Sequence, residues 1–107
     1  MNRELYVQLT QEELQSPNYR SMEIVARALL VELRALESLT GSARVSLSVR
    51  EARTRLNVTQ RPVERAFRAL LLHGWIEETK TEAGQRRVVL LKSPVPASTE
   101  TVGEADE

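Results

Sequence analysis

Hydrophobic and polar positions along the chain change period several times, and each change marks an element. "ELYVQL" alternates in the two-residue rhythm of a strand. Thr10, with Glu13 three residues on, has the spacing of a capping box for a short helix over 11–15. Pro17 and Asn18 interrupt it. Ser21 can cap a longer helix over 22–39, in which Val25, Ala28, Leu29, Leu33, Leu36 and Leu39 share one face at 100° per residue. Glu23, Arg27, Arg34, Glu37 and Ser38 fall on the other, and Gly41 terminates the helix. "RVSLS" over 44–48 reads as a strand stub.

A second capping box, Ser48 with Glu51, opens a short helix, "VREARTRL", that closes at Leu56. Asn57 tolerates the left-handed conformation that ends a helix sharply, Val58 plugs toward the core, and Thr59 can cap the next helix. That helix covers about 60–73 and stops at Gly74. Its start is either residue 60 or Pro62, because proline biases Arg61 toward extended geometry. Val63, Ala66, Phe67 and Leu70 form its inner face, while Arg61, Glu64, Arg65 and Arg68 lie in an outer arc of about 100°. "WIEETK" and "RRVVLLK" flank the polar loop "TEAGQ" as a β-hairpin. The expected class is mainly α with a small β-hairpin, α+β, built in the order helix, strand stub, helix, tight turn, helix, hairpin.

Glu32 interrupts the apolar face of the long helix. A buried unpaired charge is costly, so it is expected to pair with Arg50 or Arg53 of the following helix. Leu30 projects from the polar side of the same helix, and Leu72 lies among Arg61, Arg65 and Arg68, so these two leucines are candidate partner contacts.

Composition bounds the chemistry. The 107 residues, 41% of them hydrophobic, suit one small domain over 1–92. Residues 93–107 are poor in large apolar side chains, carry four acids and no base, and read as a disordered acidic tail. No apolar run approaches the ~20 residues of a membrane helix, and the N-terminus is too acidic for a secretory signal. A soluble, cytoplasmic protein is expected. Absence of cysteine excludes disulfides and thiolate chemistry. His73 is the only histidine and sits at a helix end, where a capping role fits it. No acid pair, phosphate-binding glycine loop or Ser/His/Asp set is supported by position. Neither an enzyme, a cofactor nor a metal is expected.

The formal net charge is zero, but charge is segregated. Residues 1–43 hold four bases and six acids; residues 44–92 hold eleven bases and five acids. A basic middle beside an acidic tail acts locally whatever the total. Thirteen of the fifteen bases are arginine, which suits bidentate contact with phosphate and guanine.

Two helices joined by a short turn and followed by a hairpin are the order of a winged helix-turn-helix. "SLSVREARTRLNVTQRPVERAFRALLLHGWIEETK" resembles the DNA-binding domains of winged-helix bacterial regulators, the GntR-type repressors among them. The upstream "YVQLTQEELQSPNYRSMEIVARALLVEL" is similar to short helix-turn-helix proteins of phages and mobile elements. "LNVT" and "HGWIEETK" carry the resemblance most sharply. The chain departs from the pattern at Arg53, where a small residue is usual, at Asn57 in place of glycine, and at Leu71 and Leu72 in place of late charge.

The resemblance implies a transcription regulator bound to double-stranded DNA, nucleoid-associated and commonly dimeric, with the 60–73 helix in the major groove and the 75–91 hairpin on the backbone. Thr59, Gln60, Arg61, Glu64, Arg65 and Arg68 would face the groove. Arginine can fork onto guanine, glutamine onto adenine, and glutamate can accept from cytosine. Arg61 and Arg65 are the candidates for base edges, and Arg68 for a phosphate. Ser48 and Arg50 would hold the backbone, and Lys80, Arg86 and Arg87 would reach phosphates or the minor groove. A protein–protein module or a replication-initiation accessory suits the same elements. With nothing folded expected after the hairpin, regulation would come from abundance, a partner, or the tail competing for the basic face.

Overall fold

The computed structural model of the protein describes residues 5–79 and 86–96. Local capping sets most of its helix ends. The Thr10 hydroxyl accepts from the Glu13 N–H while the Glu13 carboxylate accepts from the Thr10 N–H, opening α1 (Gln11–Gln15). Ser16 then caps α2 (Pro17–Arg20), whose proline occupies a first-turn position where no N–H is needed. The interruption expected at Pro17 and Asn18 is therefore a second short helix. Ser21 ends α2, its hydroxyl donating to the Pro17 carbonyl, and does not cap the next helix. That helix, α3 (Ile24–Thr40), starts behind Glu23 without a side-chain cap and closes on Gly41 at φ 77°.

Strand β1 (Arg44–Ser48) leads into α4 (Val49–Leu56), opened by the reciprocal Ser48–Glu51 box. Asn57 adopts φ 58°, and the N–H groups of Asn57 and Val58 both donate to the Arg53 carbonyl, so the helix stops in one residue. α5 (Gln60–Leu72) begins at Gln60, with Thr59 at the capping position but making no side-chain cap bond. Gly74, at φ 85°, ends it: the Trp75 N–H donates to the Leu70 carbonyl and the Gly74 N–H to Leu71.

Strands β2 (Ile76–Glu78) and β3 (Arg86–Leu91) form the expected hairpin, extended by the Thr79 N–H donating to the Val88 carbonyl. The stub β1 joins it as a third strand. The sheet is antiparallel in the order β1-β3-β2, with Val45 opposite Val89 and Ile76 opposite Leu91. The described residues thus form an α+β unit of five helices and a three-stranded sheet around one core. No helix among them is long and apolar enough to cross a membrane.

The buried stripe of α3 differs from the expected one. Ala26, Leu29, Leu30 and Leu33 are buried, together with Met22 just before the helix, while Leu39 is 66% exposed and Ala28 is only half-buried. The stripe is rotated by roughly a fifth of a turn toward Leu30. The cause lies in two arginines on the polar side. Arg27 stacks over the Tyr19 ring at 5.2 Å and donates to the Arg20 and Met22 carbonyls. Arg34 donates to the Gln8 carbonyl and to both oxygens of Glu13. These bonds hold the segment before α3 against it, and Leu30, between the two arginines on the helix surface, is 0% exposed. Leu30 is thus a core residue, and its expected role on a partner surface is corrected.

Rotation of the stripe also moves Glu32 to its edge. Its carboxylate pairs with Arg55 at 3.1 Å, half in solvent, instead of with Arg50 or Arg53. The expected helix is the right one, and the partner lies two residues beyond Arg53. At the α4 contact the small residue is Ala52, fully buried, while Arg53 points outward.

Trp75 sits where the N-terminal helices meet the sheet. It is fully buried, with its indole N–H donating to the Asn18 carbonyl at 3.0 Å. Tyr19 packs edge-on against it and Arg34 lies over its ring at 5.5 Å. Ser93 and Pro94 extend the packing beyond β3: the Ser93 hydroxyl donates to Glu13 at 2.7 Å, and Pro94 lies 3.2 Å from where a Cβ on Gly74 would be. Residues 97–107, most of the expected tail, lie outside the described residues.

Candidate nucleic-acid interface

α5 buries Val63, Ala66, Phe67 and Leu70 and turns its opposite side outward. Arg61, Arg65, Arg68 and Leu72 follow at spacings of four, three and four, which sets them in one row within an arc of about 60°. All four are exposed. Arg61 and Arg68 form no ion pair among the described residues. Arg65 Nε lies 3.3 Å from Glu23 Oε1 of the segment leading into α3, with both side chains more than half exposed. Such a pair contributes at most about 1 kcal/mol, so Arg65 is released at little cost.

Gln60 and Glu64 border the row on the side of α4. The Gln60 amide donates to the Glu64 carboxylate at 2.8 Å, so each already occupies part of the other's hydrogen-bonding capacity. Thr59 is exposed just before them. Between the start of α4, the start of α5 and the loop-proximal end of β3 lies an open cleft of about 360 Å³ lined by Ser48, Val49, Arg50, Arg53, Gln60 and Arg87. Arg50 and Arg53 are exposed there without an ion pair among the described residues. Arg87 is held differently: its guanidinium lies 4.8 Å over the Phe67 ring and 3.7 Å from Glu78. It ties the hairpin to α5 and presents only part of its surface to the cleft.

Geometry therefore brings together seven of the sequence candidates on contiguous elements: Ser48 at the end of β1 capping α4, Arg50 on α4, Gln60, Arg61, Arg65 and Arg68 on α5, and Arg87 on β3. Glu64 stands beside them as an acid. The backbone of Arg86 faces Ser48 in the sheet, and Lys80 lies outside the described residues. Sequence reasoning omitted Arg53. Its position at the cleft follows from α4 having one buried face at Ala52, which leaves the next residue outside.

A larger open hollow of about 490 Å³ lies on another face, lined by Tyr6, Gln8, Glu13, Arg34, Lys92 and Ser93 among others. Its charged centre is structural. Burial alone would raise the Glu13 pKa, but bonds from Arg34, the Thr10 N–H and the Ser93 hydroxyl, with the charge of Arg34, hold it at about 2. Both carboxylate oxygens are occupied, and Glu13 remains an ionised anchor at neutral pH. No group of acids or histidine able to hold a metal occurs among the described residues. Comparisons of the chain with protein-family models, with curated proteins and with solved structures give no match.

Proposed function

We propose that this chain is a winged helix-turn-helix protein that binds double-stranded DNA in a sequence-dependent way and regulates transcription. The observation that carries the reading is the exposed row of Arg61, Arg65 and Arg68 on α5, flanked by the arginine cleft at the start of α4. A 13-residue helix is about 20 Å long, and the major groove, ~12 Å wide, admits it. Arg61 and Arg65 meet base edges in this reading. Arg68 lies against a phosphate, and Ser48, Arg50, Arg53 and Arg87 hold the backbone. Thr59, Gln60 and Glu64 border the groove-facing surface, and the β2–β3 hairpin lies over the flanking backbone as the wing. Two copies bind two half-sites, as such regulators commonly do. Nucleoid association follows from DNA binding, and a phage or mobile-element setting fits the resemblance of the upstream segment.

A second reading is favoured by one observation: Leu72, at the end of the arginine row, is 79% exposed. A winged helix used for protein–protein contact, as in a replication-initiation accessory, would use that leucine directly.

Selection of bound duplexes from a random pool tests the first reading. A recovered motif is expected, on which Arg65→Ala costs about 1–3 kcal/mol while leaving scrambled duplex nearly unchanged. Arg68→Ala is expected to weaken both equally. Recovery of no motif, with equal weak retention of all sequences, would refute sequence-dependent binding.

A further inference from the structure

Leu72 is the one large apolar side chain in the outward row of α5, and a solvated helix end offers it no partner. What lies near it is the exit of the chain. Gly74 stands two residues beyond Leu72, and Pro94 packs against Gly74 closely enough that a Cβ there would meet it at 3.2 Å. The described chain runs on to Pro96, two residues past this contact with the C-terminal end of α5. That segment, "ASTETVGEADE", carries Glu100, Glu104, Asp106 and Glu107, no base, and Val102 as its single large apolar residue.

We propose that residues 97–107 dock along the outward face of α5, the acids against Arg68, Arg65 and Arg61 and Val102 against Leu72. Reach permits it. Eleven extended residues span about 36 Å, whereas Leu72 to Arg61 is only about 17 Å along the helix. Charge permits it as well: the segment's four acids complement a row in which Arg61 and Arg68 have no ion pair among the described residues. The segment supplies in one stretch the two chemistries that the row displays, cationic and apolar. Docked there, it shields the surface that would otherwise meet an anion.

The consequence for DNA rests on the proposed function; the docking itself does not. A tethered segment has an effective concentration in the millimolar range. Against a millimolar-range dissociation constant, this weakens binding of any competing polyanion by about two- to tenfold. The contact is ionic and exposed, so it fades at high salt.

A nitroxide attached through Ala105→Cys tests the docking in the full chain, which has no cysteine of its own. Broadening of amide signals confined to residues 61–74 is expected at low salt, relieved at ~0.5 M salt as charges are screened. Broadening absent, spread evenly, or centred on α3 or the sheet would overturn the inference. In parallel, duplex affinity is compared between the natural chain and one with Glu100→Gln, Glu104→Gln, Asp106→Asn and Glu107→Gln. A two- to tenfold gain at low salt is expected, and an unchanged affinity would overturn the shielding. Local broadening with no duplex binding by either chain would uphold the docking and remove the DNA reading alone.

Discussion

Glu13→Gln removes one charge from the most fully bonded side-chain cluster among the described residues. The natural carboxylate accepts from both terminal nitrogens of Arg34 at 2.7–2.8 Å, from the Thr10 N–H and from the Ser93 hydroxyl, and Glu13 is 5% exposed. Its pKa is lowered from 4.5 to about 2. That difference corresponds to about 3 kcal/mol favouring the ionised form in the folded state. Glutamine keeps the shape but loses the charge, and it leaves the guanidinium of Arg34, 13% exposed, without its anion. The expected loss at pH 7 is therefore about 3 kcal/mol, or a urea midpoint lower by about 2 M for a slope near 1.5 kcal/mol/M.

The sign of the pH dependence follows from the depressed pKa. Stabilisation by Glu13 is fully present above about pH 4.5 and is lost as pH falls toward 2. Urea titrations of both proteins between pH 7 and pH 2 measure it. The gap between them should narrow below pH 5 and close near pH 2. A gap at pH 7 below about 1 kcal/mol, or one that does not change with pH, would refute the assignment of Glu13 as a buried ionic anchor.

Leu30 and Leu72 give a paired test of the packing. Leu30→Ala should cost about 2–5 kcal/mol as a core truncation, whereas Leu72→Ala should shift stability by no more than about 0.5 kcal/mol; equal costs by denaturant titration would contradict the burial described. At the α4–α5 turn, Asn57→Ala should destabilise by about 1 kcal/mol because alanine disfavours the left-handed backbone, while Asn57→Gly should be nearly neutral. If both variants match the natural protein in thermal unfolding, the φ of 58° is not held in solution.

Several helix ends decided within five residues were legible in the sequence, although α2, capped by Ser16, was not. Both capping boxes, the left-handed Asn57 and the stop at Gly74 depend on neighbours three to five positions away, and each occurs where the spacing places it. The row on α5 was legible for a similar reason. That helix is covered on one side only, so its period separates Arg61, Arg65 and Arg68 from Val63, Ala66, Phe67 and Leu70. α3 is covered from more directions, by α5 and by the segment before it, and a single-face reading of its period missed Leu30. The Glu13–Arg34 clasp spans 21 residues, and the partner of Glu32 depends on how α3 crosses α4. Arg87 was legible as a basic residue of the hairpin, but its stacking on Phe67 required the two elements to be brought together.

The proposed function rests on cationic surfaces, so the salt dependence of duplex binding tests it most directly. With Arg50, Arg53, Arg68 and Arg87 on phosphates, each protomer neutralises about four, and the logarithm of the association constant should fall against that of salt with a slope near −4 per protomer, or about −7 for two copies on two half-sites. Arg68→Ala should reduce that slope by about one per protomer. No binding to duplex DNA at ~50 mM salt, or a slope near zero, would contradict the account.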